Sequence, residues 1–121
     1  MKVRCIRIFD AKGNPKERSP WLTIGKVYLV LSVIFDIKAA PRLRLVGDGG
    51  NGLALFRWDE FEIVSSAIPP TWIVFSGPGS LVELVPQPWT QPDFWERYYN
   101  QDPDAIMLFE QERKKILDTE P

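Results

Sequence analysis

GKVYLVLSVIFD (Gly25–Asp36) and AAPRLRLVGDGGNGLALFRWDEFEIV (Ala39–Val64) decide how this chain is read. Lys26–Asp36 is dense in Val, Ile, Leu, Tyr and Phe, which predicts one long strand packed along much of its length. Leu43, Leu45 and Gly47 alternate with Arg42, Arg44 and Val46, the pattern of a strand with one wet face. Asp48-Gly49-Gly50-Asn51-Gly52 offers residues for the positive-φ positions of a hairpin turn. Leu53–Phe56 then predicts a returning strand, Trp58-Asp59-Glu60-Phe61 a short helical turn, and Glu62–Ser65 a closing strand.

Upstream, Lys2–Phe9 alternates imperfectly: Val3 and Cys5 face one way, Ile6 and Ile8 the other, so a bulge or strong twist near Cys5 is expected. Asp10–Pro20 reads as a polar loop with Gly-Asn-Pro turn chemistry. A strand, a long loop, meandering strands, a one-turn helix and a closing strand follow the order of an SH3-like antiparallel β-barrel. That resemblance covers Lys2–Ser65 and implies a fold, not a function.

Downstream, Ala67-Ile68-Pro69-Pro70 breaks the pattern. Trp72–Phe75 and Leu81–Val85, around Ser76-Gly77-Pro78-Gly79-Ser80, predict a hairpin able to continue the barrel's sheet. Pro86–Pro92 should be extended, because each proline pushes its predecessor out of the helical region. Pro92–Asn100 predicts a helix with Phe94, Trp95, Tyr98 and Tyr99 on a stripe. Asp102 suits an N-cap and Pro103 the first position of a second helix, Pro103–Leu117, with Ala105, Ile106, Phe109, Ile116 and Leu117 on its apolar face. Glu110 and Lys114 are spaced for a supporting ion pair. The expectation is one α+β domain: a barrel over residues 1–66, then a hairpin and two C-terminal helices over residues 67–121.

A chain of 121 residues with 45% hydrophobic and 26% charged residues suits one globular domain with a real core. The lone Cys5 excludes an internal disulfide and, set in an apolar run, reads as a small buried thiol. Lys2, Arg4 and Arg7 interrupt any signal-like apolar stretch, and Val27–Phe35 is too short to span a bilayer, so a cytosolic location is expected. Residues 1–60 carry 11 Lys and Arg against 6 Asp and Glu, a balance of +5. Residues 61–121 carry 4 against 10, a balance of −6, and the two halves give the net −1 of the chain. Such polarity steers a charged partner or draws the two halves together.

The chain has no histidine, which removes the commonest general base, the commonest zinc ligand and every Ser-His or Cys-His nucleophile pair. No metal site or cofactor is expected. GDGGNG (Gly47–Gly52) lacks the lysine and the strand-to-helix setting of a phosphate loop. Asp59/Glu60 and Asp102/Asp104 are carboxylate pairs, but a turn and a helix cap account for them, and no catalytic residue is assigned. Arg42, Arg44, Arg57 and Trp58 form a candidate nucleic-acid face, with a solvated outer strand as the simpler reading. An isoelectric point near 5.5 weighs against it. The aromatics Trp72, Trp89, Phe94, Trp95, Tyr98 and Tyr99 read as a second small core or as an anchor surface for a protein.

The pattern PxxWxxPDFWERYYNxDPDAIMLFExE (Pro86–Glu112) resembles the C-terminal part of small cytosolic bacterial proteins, some of them similar to immunity proteins of contact-dependent or polymorphic toxin systems. The resemblance implies a non-catalytic antidote that binds a cognate protein toxin, with Asp93, Glu96, Asp102, Asp104, Glu110 and Glu112 as acidic contacts and Tyr98 and Tyr99 as anchors. A nuclease toxin, commonly basic, would suit the acidic second half.

Overall fold

The structure, a computed structural model, describes residues 1–49, 52–79 and 81–120. Its strands are β1 (Lys2–Cys5), β2 (Ile8–Phe9), β3 (Pro15–Lys16), β4 (Val27–Leu29), β5 (Ser32–Asp36), β6 (Ala39–Val46), β7 (Leu53–Arg57), β8 (Phe61–Ser65), β9 (Trp72–Ser76) and β10 (Leu81–Pro86). The helices are α1 (Phe94–Tyr99) and α2 (Pro103–Asp118), with one-turn 3₁₀ segments at Trp58–Glu60 and Gln87–Thr90. One sheet has the order β4-β1-β8, the other β7-β6-β5-β10-β9, and β2 pairs in a separate ribbon with β3, which lies inside the polar loop expected over Asp10–Pro20. All pairings are antiparallel. The fold is α+β.

The single long strand expected over Lys26–Asp36 is two strands serving different sheets. At the break, the Val30 amide donates to the Met1 carbonyl at 3.0 Å and the Leu31 amide donates to the Arg44 carbonyl at 2.8 Å. One residue therefore bonds toward each sheet, and both side chains are fully buried. A segment that turns between two layers needs apolar residues on every side, which is why the sequence reads as an unbroken apolar run.

The SH3-like barrel expected from the sequence is not confirmed, because no sheet among the described residues closes into a barrel. Among the described residues, the first sheet ends at β4 and β8 and the second at β7 and β9. The β9–β10 hairpin is where it was expected and does continue the sheet: β10 lies along β5, with Leu84 opposite Val33. It widens the second sheet sideways, so five strands face three. Gly49 (φ 61°) and Gly52 (φ 78°) hold the left-handed conformation that the β6–β7 turn asks of glycine. Gly50, Asn51 and Ser80, also assigned to turns, lie outside the described residues.

Val3 and Cys5 point inward as their alternation predicts, while the register shift against β8 falls between Lys2 and Val3, ahead of Cys5. On β6, Leu43, Arg44 and Leu45 are all buried, so the wet face expected there is covered at its centre. Pro86–Pro92 is not simply extended. Gln87–Thr90 makes a helical turn, closed by the Thr90 hydroxyl donating to the Gln87 carbonyl at 2.7 Å, which drives Trp89 into the core. Trp89 packs on Phe109 (5.1 Å between ring centres) and edge-on to Trp95 (5.5 Å), and Phe94 completes the cluster. These aromatics fix the helices to the sheet. Asp102 caps α2 as expected, accepting from the Asp104 amide at 2.9 Å. Leu117, assigned to the apolar face, points to solvent. No described helix is long and apolar enough to cross a membrane.

Candidate functional site

Asp93 precedes α1 in the left-handed region (φ 58°), and with Glu96 it is exposed. Asp104 and Glu110 are exposed along α2, Glu110 with Arg113 at 3.7 Å as its ion-pair partner where Lys114 was expected. Between the helices, Arg97 Nε donates to Asp102 Oδ2 at 2.8 Å. That bond, with the Asp104 amide, holds the Asp102 carboxyl below the ordinary carboxylate range. Asp102 thus orders the turn while Asp93, Glu96, Asp104 and Glu110 face water.

Tyr98 and Tyr99 meet at the helix–sheet junction. The Tyr98 ring lies 4.6 Å from Phe109, and the Tyr99 hydroxyl donates to the Leu53 carbonyl at 3.0 Å. Burial pushes both phenols above their ordinary value. With Gly52, Leu53, Gln101 and Ile106 they line a crevice of about 290 Å³. Most of the predicted acidic and aromatic contacts are therefore gathered on one helix–turn–helix.

Glu112 is not among them. It lies three residues after Phe109 and four before Ile116, on the face turned to the core, and is only 6% exposed. Its Oε1 accepts from Lys115 Nζ at 3.2 Å, and it does not present a charge outward.

The arginine face departs further from expectation. Arg42 and Arg57 are cross-strand partners, and Arg44 shares their side of the sheet. Arg44, however, is 8% exposed. It donates to Glu83 Oε2 at 3.1 Å and stacks on Trp95 with its guanidinium 3.9 Å from the ring centre. Burial pulls its pKa down and Glu83 opposes that shift. Arg57 is held by Asp59 through two hydrogen bonds, at 3.1 and 2.7 Å, and lies over Phe9. Trp58 lines a cavity with Leu43 on the opposite side of the sheet, so it does not stand beside the arginines.

That cavity was not foreseen. A groove of about 530 Å³ opens between the sheets, with Val3, Phe61 and Ile63 on one wall and Val33, Phe35, Leu43 and Leu84 on the other. It exists because the five-stranded sheet is wider than the three-stranded one. The signal present in the sequence was the uncharged run Ala67–Val82, which supplies Ile68 at the rim and the exposed strand β9.

Cys5 is buried, and burial first, then the Glu60 charge, push its thiol up, away from the reactive thiolate. Among the described residues no three His, Cys, Asp or Glu side chains converge as a metal site would require. Asp48 is instead a structural hub, accepting from Thr23 Oγ1 (2.6 Å), Lys26 Nζ (2.6 Å) and the Tyr28 hydroxyl (2.9 Å). Compared with known proteins, the chain matches no family model, no curated protein and no solved structure.

Proposed function

We propose that the protein is a non-catalytic protein-binding module, its first strands following the order of an SH3-like barrel. More particularly, we propose that it is a cytosolic antidote that holds a basic toxin, a nuclease being the class that suits it, through the α1–α2 segment. One observation carries this reading: the exposed carboxylates of Asp93, Glu96, Asp104 and Glu110 stand on the same helix–turn–helix as the crevice of Tyr98 and Tyr99. Aromatic anchors with surrounding charge are the usual make-up of an interface hot spot, and the charge sets association rate and choice of partner. The missing histidine and the buried thiol support a role without covalent chemistry. A nucleic-acid surface would have to rest mainly on Arg42, because Arg44 is committed to Glu83 and Trp95 and Arg57 to Asp59 and Phe9.

The test is capture from the native host with tagged wild-type protein and with the Glu96→Gln/Asp104→Asn/Glu110→Gln variant, each with and without nuclease. A stoichiometric basic protein retained by the wild type after nuclease treatment, and lost by the variant, is the expected result. Equal retention by both forms would remove the acidic site. Bound material that disappears with nuclease treatment would favour the arginine reading.

A further inference from the structure

The open side of the sandwich lies on different elements from the acidic helices, and it asks for an occupant of different chemistry. Phe35, Trp58, Ile63 and Ile68 line the groove, with Trp58 51%, Ile63 64% and Ile68 56% exposed. The apolar surface continues across the sheet through register partners on the same face. Val82 lies opposite Phe35, and Val74, 73% exposed on edge strand β9, lies opposite Leu84. From their fractional exposures, these six side chains leave on the order of 600 Å² of apolar surface open, the top of what a monomer commonly shows and near the roughly 800 Å² each partner contributes to a standard interface.

Charge and shape narrow the choice of occupant. Glu62 has the one charged side chain in the lining among the described residues, and Arg4 Nη1 already donates to it at 2.9 Å. A basic partner finds no unpaired counter-charge here, and a second identical face brings only a Glu62 that its own Arg4 already neutralises. The same face also carries both halves of a fit: an indole projecting at the rim and a groove large enough to take one. Surfaces of that kind close by a two-fold, each copy giving what it receives.

We infer that a second copy of this chain covers the groove, forming a two-fold dimer through Phe35, Trp58, Ile63, Ile68, Val74 and Val82. The acidic helical face stays outside this contact, so the dimer stands or falls independently of the toxin-binding proposal. Light scattering on the eluting full-length chain, from micromolar to near-millimolar concentration, reads it directly. The expected result is twice the 13.9 kDa chain mass at high concentration, dissociating on dilution. Ile63→Lys and Val74→Lys, each at an exposed position, should keep the far-ultraviolet circular dichroism spectrum and raise the dimer dissociation constant roughly a hundredfold or more, because each buries an unpaired charge. Met107→Lys, at an exposed apolar site on α2, should leave dimerisation unchanged. A single-chain mass throughout, an open-ended series of larger masses, dimers that survive both groove variants, or dimers lost in Met107→Lys would each overturn the inference.

Discussion

Arg44 holds its guanidinium 3.9 Å from the centre of the Trp95 ring, so a cation from the first half of the chain is roofed by an aromatic from the second. Glu83, also from the second half, neutralises it at 3.1 Å. Breaking a buried pair by removing one partner strands the other charge. Arg44→Met should therefore lower the unfolding free energy by about 2–4 kcal/mol, while Arg44→Met with Glu83→Leu should recover more than half of the loss. Urea denaturation of the two variants checks this, and a single-variant loss below about 1 kcal/mol would show that Glu83 is freely solvated.

The Asp48 hub predicts a pH dependence. Its carboxyl is held below the ordinary value, first by the hydrogen bond from Lys26 and then by those from Thr23 and Tyr28. A depressed folded-state pKa contributes stability that is fully present above the unfolded value of about 3.9 and is lost as pH falls through the folded value. Asp48→Asn should thus lower Tm at pH 7 and lower it less at acidic pH, where the wild-type carboxyl is itself protonated. Calorimetry across that range supplies the comparison, and an equal loss at both ends would contradict the assignment.

Gly47 is required by closeness. A Cβ there would lie 3.0 Å from the Trp21 carbonyl oxygen and 3.2 Å from the Trp21 ring, and the backbone oxygen is fixed because Asp48 N donates to it at 2.8 Å. Gly47→Ala should cost about 1–3 kcal/mol, the usual penalty of overpacking. Chemical denaturation with an unchanged midpoint would show that the Trp21 loop yields.

Cys5 should be nearly inert in the native protein. Its thiol is buried and its pKa raised, so an aromatic disulfide reagent at pH 8 should react slowly until denaturant is added, then within the mixing time expected of a free thiol. Rapid native labelling would mean that the β1–β8 edge opens often.

The elements with purely local causes were legible. The β6–β7 turn follows from its glycines, the β9–β10 hairpin from two apolar runs around Gly77 and Gly79, and the start of α2 from Asp102-Pro103. Features decided by a distant partner were not. Val30-Leu31 looks like any buried strand because both sheets demand apolar residues there. Arg44 has the same alternating neighbours whether water or Trp95 covers it. Glu112 is charged yet sits on the core side of α2, and only the packed helix reveals that. The groove depends on how many strands each sheet acquires, a property of pairing rather than of any one segment. The proposed acidic contacts rest on residue types alone; the structure buries Glu112 and gives Asp102 a structural task.

The pairing of β5 with β10 sets a timetable as well as a topology. Arg44 emerges from the ribosome 39 residues ahead of Glu83, a delay of roughly 2–8 s at ordinary rates of synthesis. Throughout that interval the central strand lacks a neighbour and a cation on its face lacks a counter-ion. The first half carries its net positive charge uncompensated over that interval, and the acidic second half brings the neutralising partner with the strand that completes the sheet.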